Sequence, residues 1–381
     1  MNGKRQVEGM RSMRWTIIGG LTLCFVGCVL STSEARQSRS LRRAVPSLSE
    51  ARSPRSLQRT TPRTEPSSPA VSADHPSLPP ARTFEAALLQ DATTGQILFA
   101  QNSDKQWPAA SLTKMMVGLL ALEEIERGRL SLQTPVIISE RAHQAGGRTI
   151  NLRPGEIFSL EDLLQAMLVT SANDAAVAVA ERLKGSVEAC VTVMNRRAQE
   201  LEMSQTLYQT VNGLPLTDGT PPDVSSAEDM ATLARALVKY PQVLQWTSLS
   251  HIPFRDGRMM LPNTNHLVGK VAGVDGLKTG FTYKARFNLV TTAQRDQLRL
   301  IAVVMGGQSS QLRFRLAADL LEWGFAHFTR LHLSKNEEPV GAEVRVEHGS
   351  VSTLQPIMAA DAAFLLRQGK LPKARWFPAQ R

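Results

Sequence analysis

Aromatic residues make up only 5% of the 381 positions, and cysteines number three. Two of the cysteines, Cys24 and Cys28, fall in one apolar stretch near the N-terminus, which leaves Cys190 alone in the rest of the chain. A single thiol cannot close an internal disulfide, and it reads as a buried, inert group. Apart from that stretch no apolar run approaches the ~20 residues of a membrane-spanning helix, which excludes a multi-span membrane protein. The seven histidines show no metal-ligand spacing, and neither a G-x-S-x-G elbow nor an H-E-x-x-H pair is present. With 25 glycines and 21 prolines, and no period of 20–50 residues, the composition is neither collagenous nor that of a repeat array.

What the chain does have is an uneven charge. Its formal net charge is +10. Residues 1–84 hold thirteen Lys/Arg against five Asp/Glu, and the remainder holds 31 against 29. The body is therefore nearly neutral. Because the basic tail carries no interleaved aromatics to stack bases, a nucleic-acid partner is not expected.

Lys4, Arg5, Arg11 and Arg14 precede the apolar run 15–30, which is followed by Ser33-Glu34-Ala35. This is the charge, length and small-residue pattern of an export signal over residues 1–35, which directs the chain out of the cytoplasm, to the periplasm or the cell envelope. The residues leave open whether it is cleaved, retained as a membrane tether, or lipidated at Phe25-Val26-Gly27-Cys28. Residues 36–83 contain no aromatic residue and eight prolines. Such a segment cannot bury enough apolar surface to offset its ordering entropy, so it reads as a disordered Ser/Pro/Arg-rich linker with a reach of about 40 Å.

Order is expected from Phe84. Segments 86–89 and 97–100, joined by Asp91-Ala92-Thr93-Thr94-Gly95, predict a hairpin. Helical spacing follows over 111–127, 160–169, 174–183, 187–201 and 226–238. Strand patterns return at 274–279, 287–292 and 298–305, before a last helix over 311–328. Strands at both ends of a helical middle predict an α+β domain, its sheet mostly antiparallel, flanked by helices and carrying a helical subdomain, over residues 84–330. Residues 331–381 form a short appendage whose segment Glu343-Val344-Arg345-Val346-Glu347 alternates as a strand does.

Three motifs carry chemistry: Ser111-Leu112-Thr113-Lys114, Ser171-Ala172-Asn173 and Lys278-Thr279-Gly280. Three residues apart at a helix start, Ser111 and Lys114 share one face and come within hydrogen-bond reach. A lysine acts as a base only when burial or another cation favours its neutral form, and Lys278 would supply that second charge if its strand passes beside the helix. Ser171 can relay a proton to a leaving group, and the Asn173 amide can bond a substrate amide or the lysine. On a strand, Lys278 and Thr279 can bind a carboxylate, while Gly280 lets an extended ligand approach the edge. Together these parts describe acyl transfer on a substrate with a free terminal carboxylate. No metal and no cofactor is called for.

This ordered set is that of penicillin-binding proteins and class A β-lactamases. Over residues 84–328 the chain resembles the serine-type D-Ala-D-Ala carboxypeptidases among the low-molecular-mass penicillin-binding proteins. Beyond the three motifs, Leu152-Arg153-Pro154-Gly155, Val274-Asp275-Gly276-Leu277 and Val304-Met305-Gly306-Gly307 look like family blocks. The resemblance implies a β-lactamase/transpeptidase-like fold and removal of the terminal D-Ala from peptidoglycan stem peptides, with β-lactams as covalent inhibitors. It implies that Ser111 forms the acyl-enzyme, that Lys114 is its base, and that Ser171 and Asn173 serve proton transfer and amide binding. Lys278, Thr279 and Arg313 would hold the terminal carboxylate, and the backbone N–H groups of Ser111 and Phe281 would form the oxyanion hole. Arg286 stands where the family usually has glycine, which would place a cation near the site rim. The appendage resembles only the opening of a family β-rich domain.

An endopeptidase cutting peptide cross-links would share these motifs. A β-lactamase would need an E-x-x-L-N loop, which residues 174–277 lack. In a catalytically silent wall-binding module, a serine paired with a base would have no use.

Overall fold

The computed structural model describes residues 83–334, 344–345, 353–354 and 362–368. The expected export signal, nearly all of the linker and most of the appendage lie outside them.

The described chain opens with the expected hairpin, β1 (Ala86–Asp91) and β2 (Ile97–Gln101). After the short strand β3 (Trp107–Pro108), a 3-10 turn over Ala110–Thr113 leads into α1 (Lys114–Glu126). Next come β4 (Pro135–Ile137), α2 (Glu140–His143) and β5 (Ile157–Ser159), with β4 and β5 paired. α3 (Leu160–Gln165) runs into a π-helical turn over Ala166–Thr170, where the sequence predicts one continuous helix. α4 (Asn173–Lys184), α5 (Val187–Glu200), β6 (Val224–Ser225) and α6 (Ala227–Leu237) complete the helical middle, with β6 paired to β3. A helix the sequence reading missed, α7 (Pro241–Thr247), carries Pro241 in its first turn, where a missing N–H costs nothing. The hairpin β7 (His251–Phe254) and β8 (Met259–Pro262) precedes the late strands β9 (Val274–Thr282), β10 (Arg286–Arg295) and β11 (Leu298–Gly307), and then α8 (Ser310–His327).

These late strands join the opening hairpin in one five-stranded antiparallel sheet of order β2-β1-β11-β10-β9. The α+β expectation therefore holds. Side chains alternate across the sheet as a pleat requires. Ala86, Leu88, Val290, Ile301, Val303 and Met305 enter the larger core with the helical middle. Ala87, Leu89, Leu289, Leu300, Ala302 and Val304 enter a second core beneath Leu316, Ala317, Leu320 and Leu321 of α8. A sheet covered on both faces reads as near-continuous apolar strands, which is what β1 and β11 are. α1 is buried along nearly its whole length, so its apolar residues surround the axis instead of forming a stripe.

Serine caps start several helices. Ser159, Ser186, Ser226 and Ser309 each accept a backbone N–H in the first turn of α3, α5, α6 and α8. Past α8, β12 (Phe328–Ser334) pairs with a later strand (Ala362–Arg367) and so runs through the residue where the appendage is expected to begin. Arg330 bonds buried Asp91 at 2.5 Å and ties β12 to the end of β1. Of the alternating segment 343–347, Val344 and Arg345 are described, paired as a short strand with Leu354 and Thr353. Among the described residues no helix is long and apolar enough to cross a membrane.

Candidate active site

The site forms where the 3-10 turn before α1 meets the outer edge of β9. Ala110 holds the turn in a left-handed conformation, φ 50°, immediately before Ser111. Asn288 of β10 fixes the approach to this turn, donating through Nδ2 to the carbonyls of Pro108 and Ala109 at 2.9 and 3.1 Å and accepting from Gly306 N–H at 2.8 Å. A Cβ on Gly280 would lie 2.9 Å from the Ala109 carbonyl oxygen. The strand can pass this close only because that position has no side chain.

Lys114 is fully buried, and its Nζ lies 3.0 Å from Ser111 Oγ and 2.6 Å from the Asn212 carbonyl oxygen. Burial first, with help from the Arg148 charge, lowers its pKa to about 7, against the opposing fields of Asp223 and Asp174. The sequence reading assigned the second cation to Lys278. Burial, the other cause the sequence names, is the main one; Arg148 is the cation that contributes to it, and the repulsion between the two lysines falls on Lys278. Lys278 is itself fully buried and pushed well below its ordinary value, by burial and then by Lys114 and Arg313. An amine that is near half-neutral at pH 7 and bonded to a hydroxyl can take its proton.

The π-helical turn delivers Ser171 in a left-handed conformation, φ 70°, two residues before the chain re-enters a helix as α4. Asn173 donates from Nδ2 to the Gly146 carbonyl at 2.6 Å and from its backbone N–H to the Arg148 carbonyl at 2.8 Å. Its Oδ1 is buried and has no partner among the described residues, so an acceptor remains for a ligand N–H. Buried Asp174 holds the strap above it, accepting from Ile150 N–H at 2.9 Å and Leu152 N–H at 3.1 Å.

Thr279 is buried beside Lys278, and Phe281 is 46% exposed at the end of the same strand. Arg313, on α8, donates to the carbonyls of Gly280 and Asn288 at 3.1 and 3.0 Å. Its guanidinium lies over the rings of Phe314 and Phe287, and its Nε is buried without a partner. Burial lowers its pKa to about 10. Neither Lys278 nor Arg313 has a carboxylate partner among the described residues. A buried amine and a buried guanidinium without an anionic partner make a receptacle for a carboxylate, whose charge favours the protonated amine.

The expected residues Ser111, Lys114, Ser171, Asn173, Lys278, Thr279, Gly280, Phe281 and Arg313 thus lie on the 3-10 turn, α1, the turn before α4, α4, β9 and α8. Arg286 adopts φ 55°, the conformation that suits glycine, and binds Glu85 at 3.2 Å. Sequence reasoning missed Asn212, Arg148 and Asp223. The Asn212-Gly213 pair is a turn signal that could have marked the loop over α1. Asp223 carries no local signal: its carboxylate gathers Thr113, Gln209 and Thr210 from distant positions.

A hydroxyl bonded to a buried base, beside an anion receptacle on a sheet edge, defines an active-site-serine acyl-transfer enzyme. Residues 73–309 match the family described as D-alanyl-D-alanine carboxypeptidase, Peptidase_S11. The chain belongs to that family. It is 33% identical over 293 residues to the D-alanyl-D-alanine carboxypeptidase DacF of Bacillus subtilis, covering 76% of this chain and 74% of the relative. To DacD of Escherichia coli it is 34% identical over 302 residues, covering 77% and 76%. Among solved structures it is similar to PBP3 from Streptococcus pneumoniae, a peptidoglycan synthesis regulatory factor, with TM-score 0.68, 28% identity and 76% and 86% of the two chains covered. It is also similar to penicillin-binding protein D2 from Listeria monocytogenes in its ampicillin-bound form, with TM-score 0.59, 33% identity and 64% and 97% covered.

Proposed function

We propose that this chain is an exported serine-type carboxypeptidase that removes the terminal D-Ala from peptidoglycan stem peptides ending in D-Ala-D-Ala. The observation that carries this reading is the 3.0 Å contact between Ser111 Oγ and the buried amine of Lys114. Neutral Lys114 takes the Ser111 proton as Oγ attacks the carbonyl carbon of the penultimate D-Ala. The oxyanion that forms is held by the backbone N–H groups of Ser111 and Phe281, while Lys278, Thr279 and Arg313 hold the terminal carboxylate. Asn173 Oδ1 accepts the N–H of the acyl residue. Ser171 passes a proton to the departing amine and takes in its place the proton that Lys114 gained, so D-Ala leaves neutral at nitrogen, Lys114 is neutral again and the acyl group stays on Ser111. Water then attacks the ester, giving a proton to Lys114, which returns it to Ser111 Oγ as the ester bond breaks, and the peptide is released one residue shorter. A β-lactam, whose carboxylate and strained amide occupy the same places, acylates Ser111 and blocks it.

We read residues 1–35 as the export signal and residues 36–83 as a linker ahead of the catalytic domain, 84–330. A retained signal would leave the enzyme tethered to the membrane. Recovery in the soluble fraction with a mature N-terminus near Arg36 would rule the tether out.

The function is tested by mass spectrometry after penicillin exposure and by D-Ala release from a stem-peptide analogue. The expected results are an adduct on the Ser111 peptide and one D-Ala freed per analogue. An absent adduct overturns the reading, and an adduct without D-Ala release redirects it to cleavage of cross-links or to a silent binding role.

A further inference from the structure

One cation at the site helps to depress Lys114 but is given no contact with the substrate in the reaction just described. Arg148 lies on the strap before Leu152, and its main chain is fixed there: its carbonyl accepts Asn173 N–H at 2.8 Å. Two residues earlier the Gly146 carbonyl accepts Asn173 Nδ2 at 2.6 Å. Asp174 bonds the strap at Ile150 and Leu152, so the segment carrying Arg148 is held from both sides of the residue. Its side chain, by contrast, is exposed and makes no ion pair or hydrogen bond among the described residues. A guanidinium without an anionic partner, carried on a main chain that is held beside Asn173, is available to bind an anion.

The geometry of the proposed substrate says which anion. With the terminal carboxylate between Lys278 and Arg313 and the scissile carbonyl at Ser111, the acyl residue's N–H meets Asn173 Oδ1. The peptide upstream of that residue then leaves the site past Asn173, alongside the strap. The field of Arg148 already extends to both Lys114 and Lys278. An acidic group entering this side would meet a cation that no carboxylate among the described residues neutralises.

We infer that Arg148 is a specificity-determining residue that pairs with a carboxylate borne by the peptide upstream of its two terminal residues, so that acidic donor peptides are preferred over neutral ones. This rests on the carboxypeptidase reading above.

The test uses the full chain and two synthetic peptides ending in D-Ala-D-Ala. They are identical except that one upstream residue carries either a free carboxylate or its carboxamide. Penicillin titration of Ser111 counts the competent sites in each preparation, so a poorly folded variant does not distort the rates. The wild type is expected to release D-Ala from the carboxylate peptide about tenfold more efficiently at low salt, chiefly through KM, with the preference shrinking at high salt. Arg148→Gln should bring the ratio of the two kcat/KM values to about one, and Arg148→Lys should restore part of it. Taking the ratio cancels any change in the titration of Lys114, which affects both peptides alike. Equal rates on the two peptides in the wild type, or an unchanged ratio in Arg148→Gln, would overturn this assignment alone. Failure to cleave either peptide would overturn the carboxypeptidase reading and this assignment with it.

Discussion

Thr113 donates a 2.6 Å hydrogen bond to Asp223, across 110 positions of sequence. The same carboxylate accepts the backbone N–H groups of Gln209 and Thr210 and the Thr210 hydroxyl, and so fastens the loop that places the Asn212 carbonyl on Lys114. Asp223 also raises the Lys114 pKa against the stronger effect of burial. Replacing Asp223 by Asn keeps an acceptor for the two N–H groups and lets the two hydroxyls turn to accept. The acid limb of the pH–kcat/KM profile should then move below its wild-type position. Asp223→Ala leaves four donors, three of them buried, without this partner and should cost about 3 kcal/mol or more in denaturant unfolding.

Lys114 acts only when neutral, so acylation of Ser111 by a β-lactam should rise with pH on a single limb of apparent pKa near 7. Stopped-flow acylation rates measured across that range check this directly. A limb near the ordinary lysine value would show that burial does not control the base. Lys114→Ala should slow acylation by about 10²–10⁴-fold with the fold intact by circular dichroism.

Arg313 donates its guanidinium hydrogens to strand carbonyls and keeps one nitrogen unpaired. Arg313→Ala should lower kcat/KM on carboxylate-terminated peptides by about 10–100-fold, the range of one charge-assisted hydrogen bond. A substrate whose terminal carboxylate is amidated should lose little further in the variant. Lysine at this position cannot reproduce the planar fork over Phe287 and Phe314, and should rescue only weakly.

Gly213 sits at φ 80°, and a Cβ there would fall 1.9 Å from the Ala110 carbonyl oxygen. Gly213→Ala should therefore displace the loop from the turn bearing Ser111. Loss of penicillin labelling with a lowered Tm is the expected pair of results. Labelling at the wild-type rate would show that the loop can shift without disturbing the nucleophile.

At the far end of α1, Glu124 binds Arg129 and, at 2.8 Å, Lys184 of α4. The bond from Arg129, more than that from Lys184, holds its carboxyl near a pKa of about 2, below the ordinary 4.5. Its folded-state pKa is depressed, so the pair stabilises fully above pH 4.5 and the contribution disappears as pH falls toward 2. Glu124→Gln should lower Tm by a few degrees at neutral pH and by less near pH 3, with the difference read by calorimetry.

Much of this was legible in the sequence because it is local. The β-branched and apolar runs at 287–292 and 298–305 mark strands covered on both faces, and Ser111 and Lys114 meet through helical spacing alone. The π-helical turn before Ser171 was not legible, since Ala166 to Thr170 carry ordinary helix-forming character. Asp223, Asn212 and Arg148 gain their importance from contacts between segments distant in sequence, and no short window contains both partners. For the same reason the sequence offers Lys278, a charge visible in a motif, as the cation beside Lys114 and does not reveal Arg148. The apolar shell that buries the amine is contributed by many elements and belongs to no motif.

Ala86 lies opposite Met305 in the middle of the sheet. The sheet therefore has no centre until nearly all of the catalytic chain has been synthesised, and pairing between such distant segments is slow to form. Until then a nascent chain can hold local helices and hairpins but cannot close either core. That open condition is what threading through a narrow secretion pore demands, so the strand order would suit the export proposed above for residues 1–35.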